Sequence, residues 1–303
     1  MKSLVSIIIT TFNRPLYLLR AIESVLNQTY EFIELIVVDD NGAGSILQKE
    51  TEKIINDIDK STFGINYIVN EFNQGGSLSR NIGVKYSNGE FIAFLDDDDE
   101  FFPTKIAEQI LLFKKSKFKK LALVYCFTKR IKPNGKAGKT YKYSFKGNCI
   151  YEGMKRCIAA TSQWLCKKEF FLKVGGFSDV PSQQDWNLIL KLLFAGYELD
   201  RVPKVLSLYH SHAGDRISNN GVKKITGIKL LRDFCKNNFK LLNDRQKKII
   251  ETNFSYILCK FYLKNNLINE LKKEMNKLKR KNLIKWLNLN LYIIIRKVKI
   301  HLN

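Results

Sequence analysis

Glu90-Phe91-Ile92-Ala93-Phe94-Leu95-Asp96-Asp97-Asp98-Asp99 runs an apolar stretch straight into four carboxylates. The apolar part has the length and composition of a buried strand, and the acids mark its end. Four adjacent negative charges repel one another, so something positive has to offset them. Hard divalent cations prefer oxygen donors and keep coordination positions open for phosphate oxygens. In an open α/β sheet, ligands bind at the carboxyl ends of the strands. The stretch therefore predicts a strand whose tip carries a metal–diphosphate site. A solvated acidic turn is the bland alternative; the strand before the acids and Pro103 after them weigh against it.

Upstream, strand and helix signals alternate. Strands are expected at Leu4–Thr10, Glu34–Asp39, Ile65–Asn70 and Glu90–Leu95, as near-continuous apolar runs of the kind buried on both faces. Helices are expected between them, over Pro15–Asn27, Ser45–Lys60 and Ser77–Tyr86. Pro15 suits a first helical turn, and Leu18, Ile22, Val25 and Leu26 share one face. This alternation predicts an α/β fold with a doubly wound, mostly parallel sheet. Downstream, a helix is expected over Thr104–Lys115 and strands at Leu121–Thr128, Tyr141–Phe145 and Gln163–Cys166. A short helix, a helix over Gln184–Ala195 and a last strand at Leu206–His212 complete the unit.

From about Gly221 the pattern is helical only. Residues 218–303 carry 21 Lys/Arg against 5 Asp/Glu, whereas residues 1–217 carry 30 against 24. Most of the formal charge of +22 thus belongs to a basic helical extension, and the expected domains are 1–217 and 218–303. The six cysteines form no Cys-x-x-Cys pair, which gives no zinc or redox signal and suits reduced thiols in the cytoplasm. The apolar start Leu4–Thr10 fits a first strand better than a signal peptide, because no small-residue cleavage site follows it. No segment reaches the ~20 apolar residues that span a bilayer.

Three strand tips then share one sheet edge: Thr10-Thr11-Phe12-Asn13-Arg14, Val37-Val38-Asp39-Asp40-Asn41-Gly42 and Leu95-Asp96-Asp97-Asp98-Asp99. Together with Asn73-Gln74-Gly75-Gly76-Ser77-Leu78-Ser79-Arg80-Asn81-Ile82-Gly83, they resemble, in order and spacing, the motifs of the family 2 glycosyltransferases with the GT-A fold, of the bacterial surface-polysaccharide type. The resemblance covers roughly residues 3–215. Two departures stand out: Asn41-Gly42 where Gly-Ser is common, and Ser79 where Ala is common.

The resemblance implies roles. Asp40, with Asp39 beside it, would accept the N3–H of uracil, since an ionised carboxylate only accepts; a turn or capping role is the alternative. Thr10 and Phe12 would line the uridine pocket, although Phe12 could equally be core. Arg80 would pair with the diphosphate. Asp98 would be the direct ligand to Mn²⁺ or Mg²⁺, with Asp96 completing the motif through ribose or a metal-bound water. Asp97 and Asp99 would stand behind these ligands or be structural, with Asp97 on the nucleotide side. Ser182-Gln183-Gln184-Asp185-Trp186 resembles the family's Glu-Asp motif, with Gln184 in place of Glu. Asp185 would be the catalytic base, and Gln184 and Trp186 would meet the acceptor, Trp186 having a core role as its alternative. In Leu208-Tyr209-His210-Ser211-His212, His212 fits the family's metal- or phosphate-binding histidine better than His210, and Arg216 would close over the diphosphate.

The implied activity is inverting transfer of a sugar from a UDP-sugar to a hydroxyl of a glycan, with a lipid-linked acceptor as one form. The expected place is the cytoplasm, peripheral on the inner membrane face. A metal-dependent nucleotidyltransferase would need a Gly-rich basic loop near the first strand, and none is present. A non-catalytic basic adaptor would explain the tail but not the acids. For the tail itself three occupants compete: an anionic membrane surface, the catalytic domain and, least favoured, nucleic acid.

Overall fold

A computed structural model describes residues 2–58, 64–211 and 221–291. The first four strands are β1 (Val5–Thr11), β2 (Ile33–Asp39), β3 (Ile65–Val69) and β4 (Phe91–Asp96). Helices α1 (Pro15–Leu26), α2 (Ile46–Asp57) and α3 (Gly76–Lys85) connect them. Then follow β5 (Glu100–Phe101), α4 (Lys105–Lys115), β6 (Leu121–Ile131), β7 (Ala137–Tyr141), α5 (Ile150–Lys155), β8 (Trp164–Lys167), α6 (Lys168–Lys173), α7 (Gln184–Phe194) and β9 (Glu198–His210).

The strands form one sheet in the order β3-β2-β1-β4-β8-β6-β9-β5, with β7 paired to β6. The β3-β2-β1-β4 block is parallel; β8 joins antiparallel to β4 and β6, and β9 runs parallel to β6. Successive side chains on a strand point to opposite faces. Ile8, Ile36, Val38, Ile92 and Phe94 enter one core with Phe171, Phe177, Leu188 and Leu192, while Ile7, Ile9, Val37, Ala93 and Leu95 enter the other with Leu18, Ile22 and Ile106. Both faces are covered, which is why these strands read as unbroken apolar runs. Close packing of α3 depends on Gly83, where an added Cβ would come within 2.5 Å of the Ile8 side chain.

Two strands differ from expectation. The return strand lies at Ala137–Tyr141, one turn earlier than Tyr141–Phe145, because the Lys132–Gly135 turn is tight and pairing starts at once. The last strand begins at Glu198, well before Leu206, and the Pro203 and Lys204 positions that hid it fall at a register shift against β6, between Val202 and Val205.

The described chain divides into two compact units. The first holds the sheet and its helices; the second gathers Met154–Arg156, Val180–Gln183 and the helices from Gly221 onward. Those helices are α8 (Gly221–Asn237), α9 (Asp244–Lys264), α10 (Ile268–Lys281) and one over 283–291. Asn243 caps α9 by accepting from Gln246 N at 2.9 Å, and the Gln246 side chain returns the bond. No described helix is long and apolar enough to cross a membrane.

Candidate active site

The parallel register sets Thr10 level with both Val38 and Asp96, and Thr11 level with Asp39. The tips of β1, β2 and β4 therefore end at one edge. Phe12, just beyond β1, is 41% exposed there. Asn13 turns the chain at φ 58°, and its N–H donates to Asn41 Oδ1 at 2.7 Å, tying the first tip to the second.

At the third tip, Asp99 N donates to Asp96 O at 2.9 Å, closing a turn. The turn gathers Asp96, Asp98 and Asp99, with a ligand oxygen from each within 4.8 Å of the others. Asp99, expected to be structural, thus joins the candidate metal set beside Asp98 and Asp96. Asp97 does not. It is fully buried, 2.7 Å from Arg14 Nη2, and accepts from Phe12 N at 3.4 Å, so the expected nucleotide contact gives way to fastening β1 to β4.

Arginines offset much of the repulsion that was expected to require a cation. Arg14 Nη1 donates to Asp98 Oδ2 at 2.7 Å, Arg80 Nη2 to Asp96 Oδ1 at 2.6 Å, and Arg20 Nη2 to Asp98 O at 2.9 Å. Burial opposes charge on Arg14, but Asp97 and its neighbours outweigh it and raise its pKa. Compensation remains incomplete. Burial, then Asp98 and Asp96, holds the Asp99 carboxyl well above the usual range, although Ser162 Oγ donates to it at 2.8 Å and His210 N at 3.3 Å. Burial likewise pushes Asp97 up to about 7 despite Arg14. Three hard oxygen donors with surplus negative charge fit Mg²⁺ or Mn²⁺.

The second tip is organised differently from expectation. All four lone-pair directions of Asp40 are taken: Asn70 Nδ2 (2.7 Å) and Gln74 N (2.8 Å) at Oδ1, Asn73 Nδ2 (2.9 Å) and Gly75 N (2.8 Å) at Oδ2. Asp40 anchors the β3–α3 loop rather than offering a free edge to a base. The Asp39 carboxylate accepts from Asn41 N (2.9 Å) and the Tyr67 hydroxyl (2.7 Å), two bonds against the four that Asp40 takes.

Arg80 links this edge to α7. It is buried, stands over the Phe177 ring at 5.5 Å, and donates through Nη1 to Gln184 Oε1 at 2.9 Å. Asp185 follows in the first turn of α7. Its Oδ1 accepts from Trp186 N at 2.8 Å and its Oδ2 from Cys157 Sγ at 3.5 Å. Burial raises its pKa, the Asp96 charge adds to this, and Arg80 opposes it. Burial and then Asp185 keep Cys157 a thiol and hence a donor. No motif or spacing points to Cys157, Ser162 or the salt bridges of Arg14, which are made across distant parts of the chain.

Trp186 corrects an expectation. It is 4% exposed and its indole N–H donates to Gly153 O at 2.6 Å, so it is core and not an acceptor platform. The apolar face of α7 needs a large side chain there, and the ring's polar edge has found a carbonyl. His212 and Arg216 lie outside the described residues; His210 pairs through Nε2 with Glu100.

With this geometry in hand, comparisons place the chain. Residues 6–172 match the model for glycosyl transferase family 2. An uncharacterized glycosyltransferase of Haemophilus influenzae is 27% identical over 303 residues, covering 96% of each chain. The Escherichia coli UDP-Glc:alpha-D-GlcNAc-diphosphoundecaprenol beta-1,3-glucosyltransferase WfaP is 40% identical over 114 residues, 38% of this chain and 43% of that one. The fold is that of the mannosyltransferase PcManGT of Pyrobaculum calidifontis, solved with GDP-Man and Mn2+: the TM-score is 0.62 at 15% identity, over 99% of this chain and 87% of that one.

Proposed function

Since the chain belongs to glycosyl transferase family 2, we propose that its cleft moves one sugar from a UDP-sugar to a hydroxyl of a glycan carried on a lipid diphosphate, with inversion at the anomeric carbon. The observation that carries this is the bridge from Asp96 through Arg80 to Gln184, beside Asp185. It sets a carboxylate base across from an acidic cluster, the two ends that a single displacement needs.

The chain's residues divide the work. Thr10 and Phe12 flank the uridine, and Asp39 takes the base edge while Asp40 holds Asn73, Gln74 and Gly75 in place. Asp96, Asp98 and Asp99 would hold Mn²⁺ or Mg²⁺, which when bound would offset charge building on the departing diphosphate. Arg80 keeps Asp96 and Gln184 at fixed separation, and Gln184 turns its amide toward the acceptor. Asp185 accepts the hydroxyl proton as the oxygen attacks and the bond to UDP breaks. Its raised pKa brings it closer to that task, since a base works best when its pKa lies nearer the working pH. The relative acting on a diphosphoundecaprenol acceptor supports the lipid-linked substrate, and the basic helical unit supports a peripheral place at an anionic membrane surface.

A panel of UDP-sugars assayed with Mn²⁺ against Asp185→Asn tests this. Donor-dependent transfer in wild type, lost in the variant while UDP still binds, is expected; undiminished transfer by the variant contradicts it.

A further inference from the structure

Two clefts among the described residues of the helical unit differ in how their charges are balanced. The smaller, about 140 Å³, is lined by Arg232, Lys236, Glu251, Ser255, Glu274 and Lys277. It is neutralised from within: Glu274 lies 3.2 Å from Arg232 and 3.2 Å from Lys277, and accepts from Ser255 Oγ at 2.7 Å. The larger, about 370 Å³, is lined by Arg245, Lys248, Ile249, Thr252, Asn282 and Lys285. Three of those six are cations and none is an acid. The Lys285 ammonium donates to the neutral Asn253 side chain. Burial, and then the like charge of Lys155, lower its pKa. Cations gathered without a carboxylate repel one another until an anion joins them.

A second observation narrows the anion. The helix over 283–291 starts at this cleft and leaves Leu283, Ile284, Leu287 and Leu291 exposed, Ile284 by 72%, while Leu289 on the other side is fully buried. These spacings place the four on one helical stripe. Lys279 sits over the Trp286 ring at 4.9 Å. A free phosphate would explain the cations but leave the apolar stripe in water. A phospholipid presents both chemistries at once, a phosphate above acyl chains.

We propose that Arg245, Lys248 and Lys285 seat the headgroup phosphate of an anionic phospholipid at a bilayer surface, with Ile284 and Leu287 entering the acyl boundary. The site gives residues to the membrane contact read for this unit and stands apart from the catalytic reading.

Co-sedimentation of the full chain with phosphatidylcholine vesicles, with and without phosphatidylglycerol, tests it at low salt. Binding only to the anionic vesicles is expected. Arg245→Gln with Lys248→Gln weakens partitioning about 25-fold, at about fivefold per basic residue. Lys114→Gln with Lys115→Gln removes the same charge from α4 in the sheet unit and changes partitioning by less than about threefold. Ile284→Ser with Leu287→Ser weakens binding with no change of charge. The proposal falls if the α4 pair costs as much as the cleft pair, if wild type ignores anionic vesicles, or if inorganic phosphate raises the melting temperature while those vesicles go unbound. UDP binding measured on the same variants shows that each is folded, and keeps a failure here distinct from a failure of the catalytic reading.

Discussion

Gln184 Oε1 accepts from Arg80 Nη1 at 2.9 Å while the second arm of the same guanidinium holds Asp96 at 2.6 Å. One planar side chain thus spans the strand that carries the acids and the helix that carries the candidate base. A guanidinium can do this because its donors form a rigid fork; an ammonium is a point charge.

Arg80→Lys should therefore fail despite keeping the charge. We expect kcat/KM for sugar transfer to fall about 100-fold, because displacement of catalytic groups by about 1 Å costs that much. Gln184→Leu removes one of the two tethers and should cost about tenfold. Steady-state kinetics decide the matter, and a lysine variant within twofold of wild type contradicts the bridge.

Asp185 makes a pH prediction whose sign is fixed. Burial raises its pKa above the ordinary 3.8, so the folded chain keeps the proton to higher pH than the unfolded chain does. Stability from this group is fully present below about pH 4 and is lost as pH climbs through the raised value. Asp185→Asn, neutral throughout, should gain stability over wild type as pH rises above the ordinary carboxylate range in urea unfolding. Transfer by wild type should show an acid limb above the ordinary carboxylate range. A stability gap that shrinks as pH rises contradicts the assignment.

Cys157 donates to the Asp185 carboxylate and so favours its charged form. Cys157→Ala should move the acid limb of the rate profile upward, and Cys157→Ser, which keeps a donor, should leave it nearer wild type. Identical profiles for the two variants would reduce Cys157 to a packing residue.

Asp40 is expected to matter first for stability. Asp40→Ala strips acceptors from four donors at once, two of them backbone N–H groups of the β3–α3 loop. Urea unfolding should show a loss of about 3–5 kcal/mol. A loss under about 1 kcal/mol would show that the loop is held by other contacts.

The sequence carried β1, β2 and β4 clearly, because strands buried on both faces leave near-continuous apolar runs such as Ile7–Ile9, Leu35–Val38 and Phe91–Leu95, while β3 is only half-buried. It carried β9 poorly, since Pro203 and Lys204 sit where that strand is irregular and exposed. Within the site, the meeting of the β1, β2 and β4 tips at one edge followed from the strand pattern, whereas Asp40, expected to face a base, is tied up by the β3–α3 loop. The partition among the four acids did not follow from it. A turn that bonds Asp96 to Asp99 brings together residues three apart and turns Asp97 away, and a run of identical letters cannot show this. Nor could it show that Arg14 reaches back to Asp97 and Asp98, because that contact joins residues more than eighty apart. Trp186 fits an apolar helix face and a sugar platform equally well as a letter; only the bond to Gly153 decides.

Everything proposed for the cleft turns on oxygens of Asp96, Asp98 and Asp99 gripping a cation together with a sugar nucleotide. Calorimetric titration of UDP into wild type and Asp98→Asn, each with and without Mn²⁺, addresses that most directly. Predicted is UDP binding by wild type that strengthens markedly with Mn²⁺, and a loss of at least about tenfold in affinity on replacing Asp98. Equal affinity with and without Mn²⁺, or an Asp98→Asn variant that binds as wild type does, would contradict it.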